Sequence, residues 1–144
     1  MVDLSRQAEL RESIELFFFA YRAFTSRPDR ILAQRGLGRV HHRILYFVGH
    51  RPGVAINELL EILGVSKQAL NAPLRQLIEM KLVGTKPAEL DRRYKELRLT
   101  AEGAKLEALL TGTQMKHMAA VFAAAGTPAE AAWKRIMQSL PEKI

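Results

Sequence analysis

Apolar residues recur at helical spacing along most of the chain and switch to alternation only past its midpoint. Between residues 5 and 25, Leu10, Ile14, Phe17, Phe18, Tyr21 and Phe24 fall at i, i+4, i+7, i+8, i+11 and i+14, the stripe of a helix. Leu16 and Phe19 widen that stripe to two apolar faces, more than one packing partner needs. Val40, Ile44, Phe47 and Val48 predict a second helix over 37–50, stopped by Arg51-Pro52-Gly53. A short third helix over about 55–63 turns Ile56, Leu59, Leu60 and Leu63 inward, with Gly64 placed to end it. Ser66 suits the N-cap of a fourth helix running to about Lys81. Leu70, Leu74, Leu77 and Ile78 line one side of it; Lys67, Gln68, Asn71 and Arg75 line the other.

Two strand-like pieces follow, Val83 to Lys86 and Tyr94 to Leu99, joined by the polar turn Pro87 to Arg93. Helical spacing resumes over 101–125 through Leu106, Leu109, Leu110, Met118, Val121 and Phe122, and Gly126 ends it. Thr127-Pro128-Ala129-Glu130 reads as a capping box with proline at the first helical position, opening a last helix to Leu140. A short helix, a glycine turn and a longer helix form a helix-turn-helix, and a β-hairpin directly after it makes the winged variant. The expected fold is mainly α with a small β-hairpin wing. Its segments are an N-terminal dimerisation helix (1–34), a winged helix-turn-helix lobe (35–100) and C-terminal dimerisation helices (101–144).

Composition sharpens this picture at one point. The 144 residues carry 22 Lys and Arg, 15 Asp and Glu, and no cysteine, for a formal net charge of +7. Residues 1–33 are neutral and residues 101–144 carry +1, so the middle segment holds +6 of the excess. A polyanion is the partner such a lobe suits. Without cysteine there is no disulfide framework, thiol switch or cysteine metal site. No apolar run approaches the ~20 residues that span a bilayer, and the N-terminal stretch lacks a signal-peptide pattern. A cytoplasmic protein without membrane contact is expected. No nucleophile–base pair, phosphate loop or cofactor motif is visible, so neither enzyme nor cofactor is expected.

The stretch Asp91-Arg92-Arg93-Tyr94-Lys95-Glu96-Leu97-Arg98-Leu99-Thr100 resembles the wing of the MarR-type transcriptional regulators, in which an Asp-x-Arg turn leads into a strand ending Leu-Thr. Leu99-Thr100-Ala101-Glu102-Gly103 is similar to the Leu-Thr-x-x-Gly start of the next helix, a feature shared among winged-helix proteins. The resemblance spans essentially the whole chain. It implies a homodimer built from the first, fifth and sixth helices, with one lobe per subunit reading double-stranded DNA. It also assigns Asp91 to fixing the wing by pairing with an arginine. The regulator is expected to be a repressor on a pseudo-palindromic operator, released by a small aromatic or anionic effector. Two positions depart from the family's pattern. Pro73 lies inside the recognition helix, predicting either a kink at residues 69–73 or a turn plus a shorter helix. Lys81 stands where a glycine helix cap is common.

Read residue by residue, Gln68 and Asn71 suit adenine, and Arg75 or Lys67 suit guanine or phosphate. Ser66 caps the helix and adds a phosphate contact through its first amides. Arg93 suits a narrow minor groove, whereas Lys86, Arg92 and Lys95 suit phosphates. Tyr21, Arg22, His41, His42 and Tyr46 are the candidate effector residues. Two alternatives stand beside this reading: a winged-helix module that docks proteins, and a metal-responsive regulator in which His41 and His42 join His117.

Overall fold

The computed structural model describes residues 3–141, so residues 1–2 and 142–144 of the two outer segments lie outside the described residues. Six helices enclose a small sheet: α1 Leu4–Ala33, α2 Arg39–His50, β1 Val54–Ala55, α3 Ile56–Leu63, α4 Lys67–Glu79, β2 Val83–Pro87, β3 Lys95–Leu99, α5 Ala101–Ala125 and α6 Thr127–Ser139. The sheet has the order β1-β3-β2 and both its pairings are antiparallel. The expected hairpin is β2 and β3, in register from Val83 opposite Leu99 to Pro87 opposite Lys95. β1 was not expected. Two residues carry no periodic signal, and the strand exists because Val54 and Ala55 sit opposite Leu97 and Glu96.

The first helix is longer than its stripe implies and continues through Pro28. Proline costs that turn one backbone hydrogen bond. The helix runs on because Thr25, Pro28 and Leu32 are its buried residues, set against α2 and α5. Thr25 also donates its hydroxyl hydrogen to the carbonyls of Tyr21 and Arg22, at 3.1 and 3.2 Å. The long apolar stripe of Leu10, Ile14, Phe17 and Phe18 is exposed instead. The core proper joins Leu32 to Ile44, Leu45 and Val48 of α2, Leu59 of α3, Leu70 and Leu77 of α4, Leu97 of β3, and Leu106 and Leu110 of α5.

Pro73 does not split the fourth helix, which runs unbroken over Lys67–Glu79. Burial of Leu70, Leu74 and Leu77 along one side holds the turn that proline weakens. This helix ends in a Schellman arrangement, in which the Leu82 amide donates to the Leu77 carbonyl and the Lys81 amide to that of Ile78. Lys81 takes the left-handed position at φ 61°, alone among the described non-glycine residues. Lys81→Gly removes about 1 kcal/mol of left-handed strain and restores part of it as unfolded-chain entropy, a net gain of roughly 0.5 kcal/mol. Thermal unfolding should rise by about 2 °C for a domain of this size; an unchanged or lower midpoint would count against that strain.

The junction of lobe and outer helices is tight. Thr100 caps α5 by accepting from the Gly103 amide at 3.0 Å, while its own hydroxyl donates to the Lys81 carbonyl at 2.7 Å. Its amide donates to the Leu82 carbonyl at 3.1 Å. Gly103 is packed so closely that a Cβ there would run into the Leu82 carbonyl. At the far end the structure corrects one expectation. Gly126, at φ 96°, caps the start of α6 as well as ending α5, so Thr127 is the first helical residue and its side chain forms no capping box. Only glycine tolerates that positive φ, and the helix consequently starts one residue early. No helix among the described residues is long and apolar enough to cross a membrane.

Candidate nucleic-acid interface

α4 is amphipathic in the sense a groove-reading helix requires. Ser66 precedes it in extended conformation and its hydroxyl accepts from the Ala69 amide at 3.1 Å. The cap fixes where the helix starts and leaves its other first-turn amides facing outward. Lys67, Gln68, Asn71 and Arg75 are all exposed, and none of the four is held by a hydrogen bond or ion pair among the described residues. Leu70, Leu74 and Leu77 on the other side anchor the helix in the core.

The wing projects between β2 and β3. Asp91 organises its tip. The carboxylate accepts from the Arg93 amide at 3.1 Å, from Nε at 3.1 and 3.2 Å, and from Nη2 at 2.7 Å. Its carbonyl accepts from the Tyr94 amide at 3.1 Å, and the Arg93 guanidinium lies 5.9 Å from the Tyr94 ring centre. The arginine that pairs with Asp91 is therefore Arg93 itself. The pairing holds the guanidinium in place, yet its side chain remains 83% exposed. Lys86, Arg92 and Lys95 are exposed on the same hairpin.

Hydrogen bonds from the Arg93 side chain, and then from its amide, hold the Asp91 carboxyl below the usual aspartate range. A depressed pKa makes the pair fully present above the unfolded value and lost only as pH falls through the folded one. Titration followed by NMR of the Arg93 Nε–H should show the wing intact at about pH 5 and opening only below about pH 4. Opening at higher pH would contradict the pairing.

Of the candidate effector residues, Tyr21, His42 and Tyr46 line one cavity of about 520 Å³ between α1, α2 and α5. Arg22 lies outside it, with its guanidinium over the Phe19 ring. His41 lies outside as well, bonded to the Gly38 amide and to Gln76. Among the lining residues not named as effector candidates from sequence are both of the cavity's arginines, Arg39 and Arg43. Spacing would have found them, because Arg39, His42, Arg43 and Tyr46 follow at i, i+3, i+4 and i+7 on α2. Arg43 donates to the Tyr21 hydroxyl at 2.6 Å, and Arg39 donates to Asp29 at 2.8 Å. His42 is bonded to Thr111 at 3.1 Å. Burial, the largest influence, pushes its pKa down, opposed by Glu107 and Asp29 and assisted by Arg43. No cluster of three or more metal-ligating side chains occurs among the described residues.

A second surface is apolar. Phe17, Phe18, Phe19, Val121, Trp133 and Ile136 are exposed, and α6 buries no residue in the single chain. A groove of about 750 Å³ runs between α1, α5 and α6, lined by Phe17, Phe24, Met118, Phe122, Trp133 and Met137 among others.

Comparison with known proteins follows this geometry. Residues 35–93 match the MarR family. The HTH-type transcriptional regulator PetP of Rhodobacter capsulatus is 43% identical over 132 residues, covering 92% of this chain and 80% of that protein. A crystal structure of a MarR family transcription regulator superposes with a TM-score of 0.76 at 18% identity, over 93% of this chain and 89% of the other. The MepR–DNA complex of S. aureus gives 0.66 at 20% identity, over 88% and 96%. The two structural likenesses show the fold.

Proposed function

This chain belongs to the MarR family of transcriptional regulators, a class of non-enzymes, and on that premise we propose that it is a homodimer that reads a pseudo-palindromic operator in double-stranded DNA and represses from it. The observation that carries this reading is the unpartnered polar stripe Lys67, Gln68, Asn71 and Arg75 on a helix whose opposite side is locked into the core. Such a helix lies in the major groove with its N-terminal residues at base edges. Gln68 and Asn71 are matched to adenine, and Arg75 or Lys67 to guanine or phosphate. Ser66 brings the helix N-terminus, and with it free amides, to a phosphate.

Arg93, aimed by Asp91, enters the minor groove, while Lys86, Arg92 and Lys95 hold the backbone. The apolar outer helices supply the two-fold contact that sets half-sites about one turn apart. The α1–α2–α5 cavity, with two arginines, two phenols and apolar walls, suits a small aromatic or anionic effector. A protein-docking module would need neither the free polar stripe nor the concentration of positive charge in the lobe.

The test is fluorescence anisotropy against operator and random duplexes across a salt series. Asn71→Ala or Gln68→Ala should lose about 1–3 kcal/mol of discrimination at defined base pairs. Arg93→Ala should weaken all sequences together and lower the salt slope by about one per subunit. Uniform losses from Asn71→Ala and Gln68→Ala would remove their base-reading role.

A further inference from the structure

His41 and Gln76 form a polar tie for which DNA contact gives no account. His41 is buried, at 9% exposure, on the first turn of α2. Its Nδ1 accepts from the Gly38 amide at 2.9 Å, so in the neutral ring the single proton resides on Nε2. That Nε2–H donates to Gln76 Oε1 at 2.9 Å, and Gln76 Nε2 donates in turn to the Gly36 carbonyl at 3.4 Å. Gln76 belongs to α4, so the recognition helix is fastened to the corner between α1 and α2 by one continuous chain of hydrogen bonds. The adjacent residue faces another way, as two consecutive positions do on a helix, about 100° apart. His42 is bonded to Thr111 of α5. The two histidines thus hold α2 between the recognition helix on one side and the long outer helix on the other.

We propose that His41 and Gln76 are positioning residues: they touch no DNA and set the orientation of α4 relative to the outer helices. This rests on the reading of α4 as the operator-contacting helix. Its leucines hold α4 in the core, but apolar contacts are non-directional and leave its rotation soft. A directed hydrogen bond at the half-buried Gln76 removes that freedom. A two-fold dimer must present both reading helices at the spacing of one DNA turn, so a small rotation at each is felt as misalignment at both half-sites. Random sequence, bound through phosphates, tolerates it.

The test compares the wild type with His41→Gln, Gln76→Ala, Gln76→Glu and the His41→Gln/Gln76→Ala double variant. Binding is measured on a duplex that the wild type selects from a random pool and on a scrambled duplex. Glutamine at position 41 still accepts from the Gly38 amide as a capping-box residue, so α2 keeps its cap and loses only the tie. His41→Gln and Gln76→Ala should each weaken operator binding about five- to tenfold, the range of one directed hydrogen bond, while scrambled-duplex affinity stays near wild type and the melting temperature falls by no more than a few degrees. The double variant should be no weaker than the worse single, because both remove one contact. Gln76→Glu keeps an acceptor for Nε2–H and should recover the operator-to-scrambled ratio to within about twofold of wild type. Operator affinity at the wild-type level in His41→Gln or Gln76→Ala, losses that add, equal loss on both duplexes, or no recovery in Gln76→Glu would each overturn the proposal. A wild type that selects no operator would overturn the functional reading, and this inference with it.

Discussion

Glutamate at both Phe17 and Val121 should leave a folded monomer that has lost operator binding. Both side chains line the apolar groove between α1, α5 and α6, and both are about half exposed in the single chain, at 54% and 51%. Introducing charge there costs the lobe nothing, because neither residue belongs to the core around Leu45, Leu70 and Leu97. In a two-fold interface each substitution occurs twice, placing like charges in a desolvated contact. Sedimentation should then report a species near 16.2 kDa in place of one of twice that mass. A monomer holds one half-site at a time. Losing the second, tethered contact should weaken operator binding by at least about a hundredfold, the lower end of what linkage of two sites gives. Helical content and lobe packing should be retained. An unchanged dimer would show that the groove is not the interface; a monomer with full operator affinity would show that dimerisation does not matter to reading.

A single methyl group at position 103 should have the largest effect on stability. Gly103 sits on the first turn of α5 with the Leu82 backbone directly against its Cα, and a Cβ there meets the Leu82 carbonyl. That obstacle is backbone and cannot rotate away. The same carbonyl accepts from the Thr100 amide, and Thr100 also caps α5. Gly103→Ala must therefore move the end of α4 and start of β2 away from α5, disturbing cap and ladder together. Overpacking typically costs about 1–3 kcal/mol, and against immobile backbone the upper end is expected, a large share of the roughly 5–15 kcal/mol that a domain has. Urea denaturation should show the loss as a lower midpoint with similar slope. A loss under about 1 kcal/mol would mean that the junction yields easily.

These two substitutions act on features of unequal visibility in the sequence. The Leu-Thr-x-x-Gly pattern was legible, and its reason is now physical: threonine caps and bridges, and glycine admits the Leu82 carbonyl. Helical periodicity found every helix, because each buries or exposes a stripe of fixed spacing. What periodicity cannot report is the partner of that stripe. The aromatic face of α1 reads as apolar surface beyond what one packing partner needs, but spacing does not show that the residues anchoring α1 in its own chain are Thr25, Pro28 and Leu32, two of them poor helix signals. β1 escaped because its two residues become a strand only against β3. Gly126 and Thr127 both resemble caps, and the φ of 96° that decides between them is a property of the chain reversal.

The candidate site divides in the same way. Ser66 and the polar side of α4 follow from spacing alone, since a locked apolar stripe leaves its opposite outward. Charge placement pointed to the wing. The Asp-x-Arg spacing put Arg93 two residues from Asp91, and the turn's geometry is what brings its guanidinium onto the carboxylate. His41 and His42 are adjacent, which on a helix already sets them about 100° apart. Helix geometry sends them to different neighbours, Gln76 and Thr111.

The central claim is that a two-fold dimer presents two copies of α4 and the wing to one DNA site. Selection of bound duplexes from a random pool by the purified protein, at low and then moderate salt, tests it most directly. The account predicts enrichment of an inverted repeat whose half-sites are centred about 10 base pairs apart, bound more weakly as salt rises. Recovery of no enriched sequence, or of one half-site without its inverted partner, would contradict it.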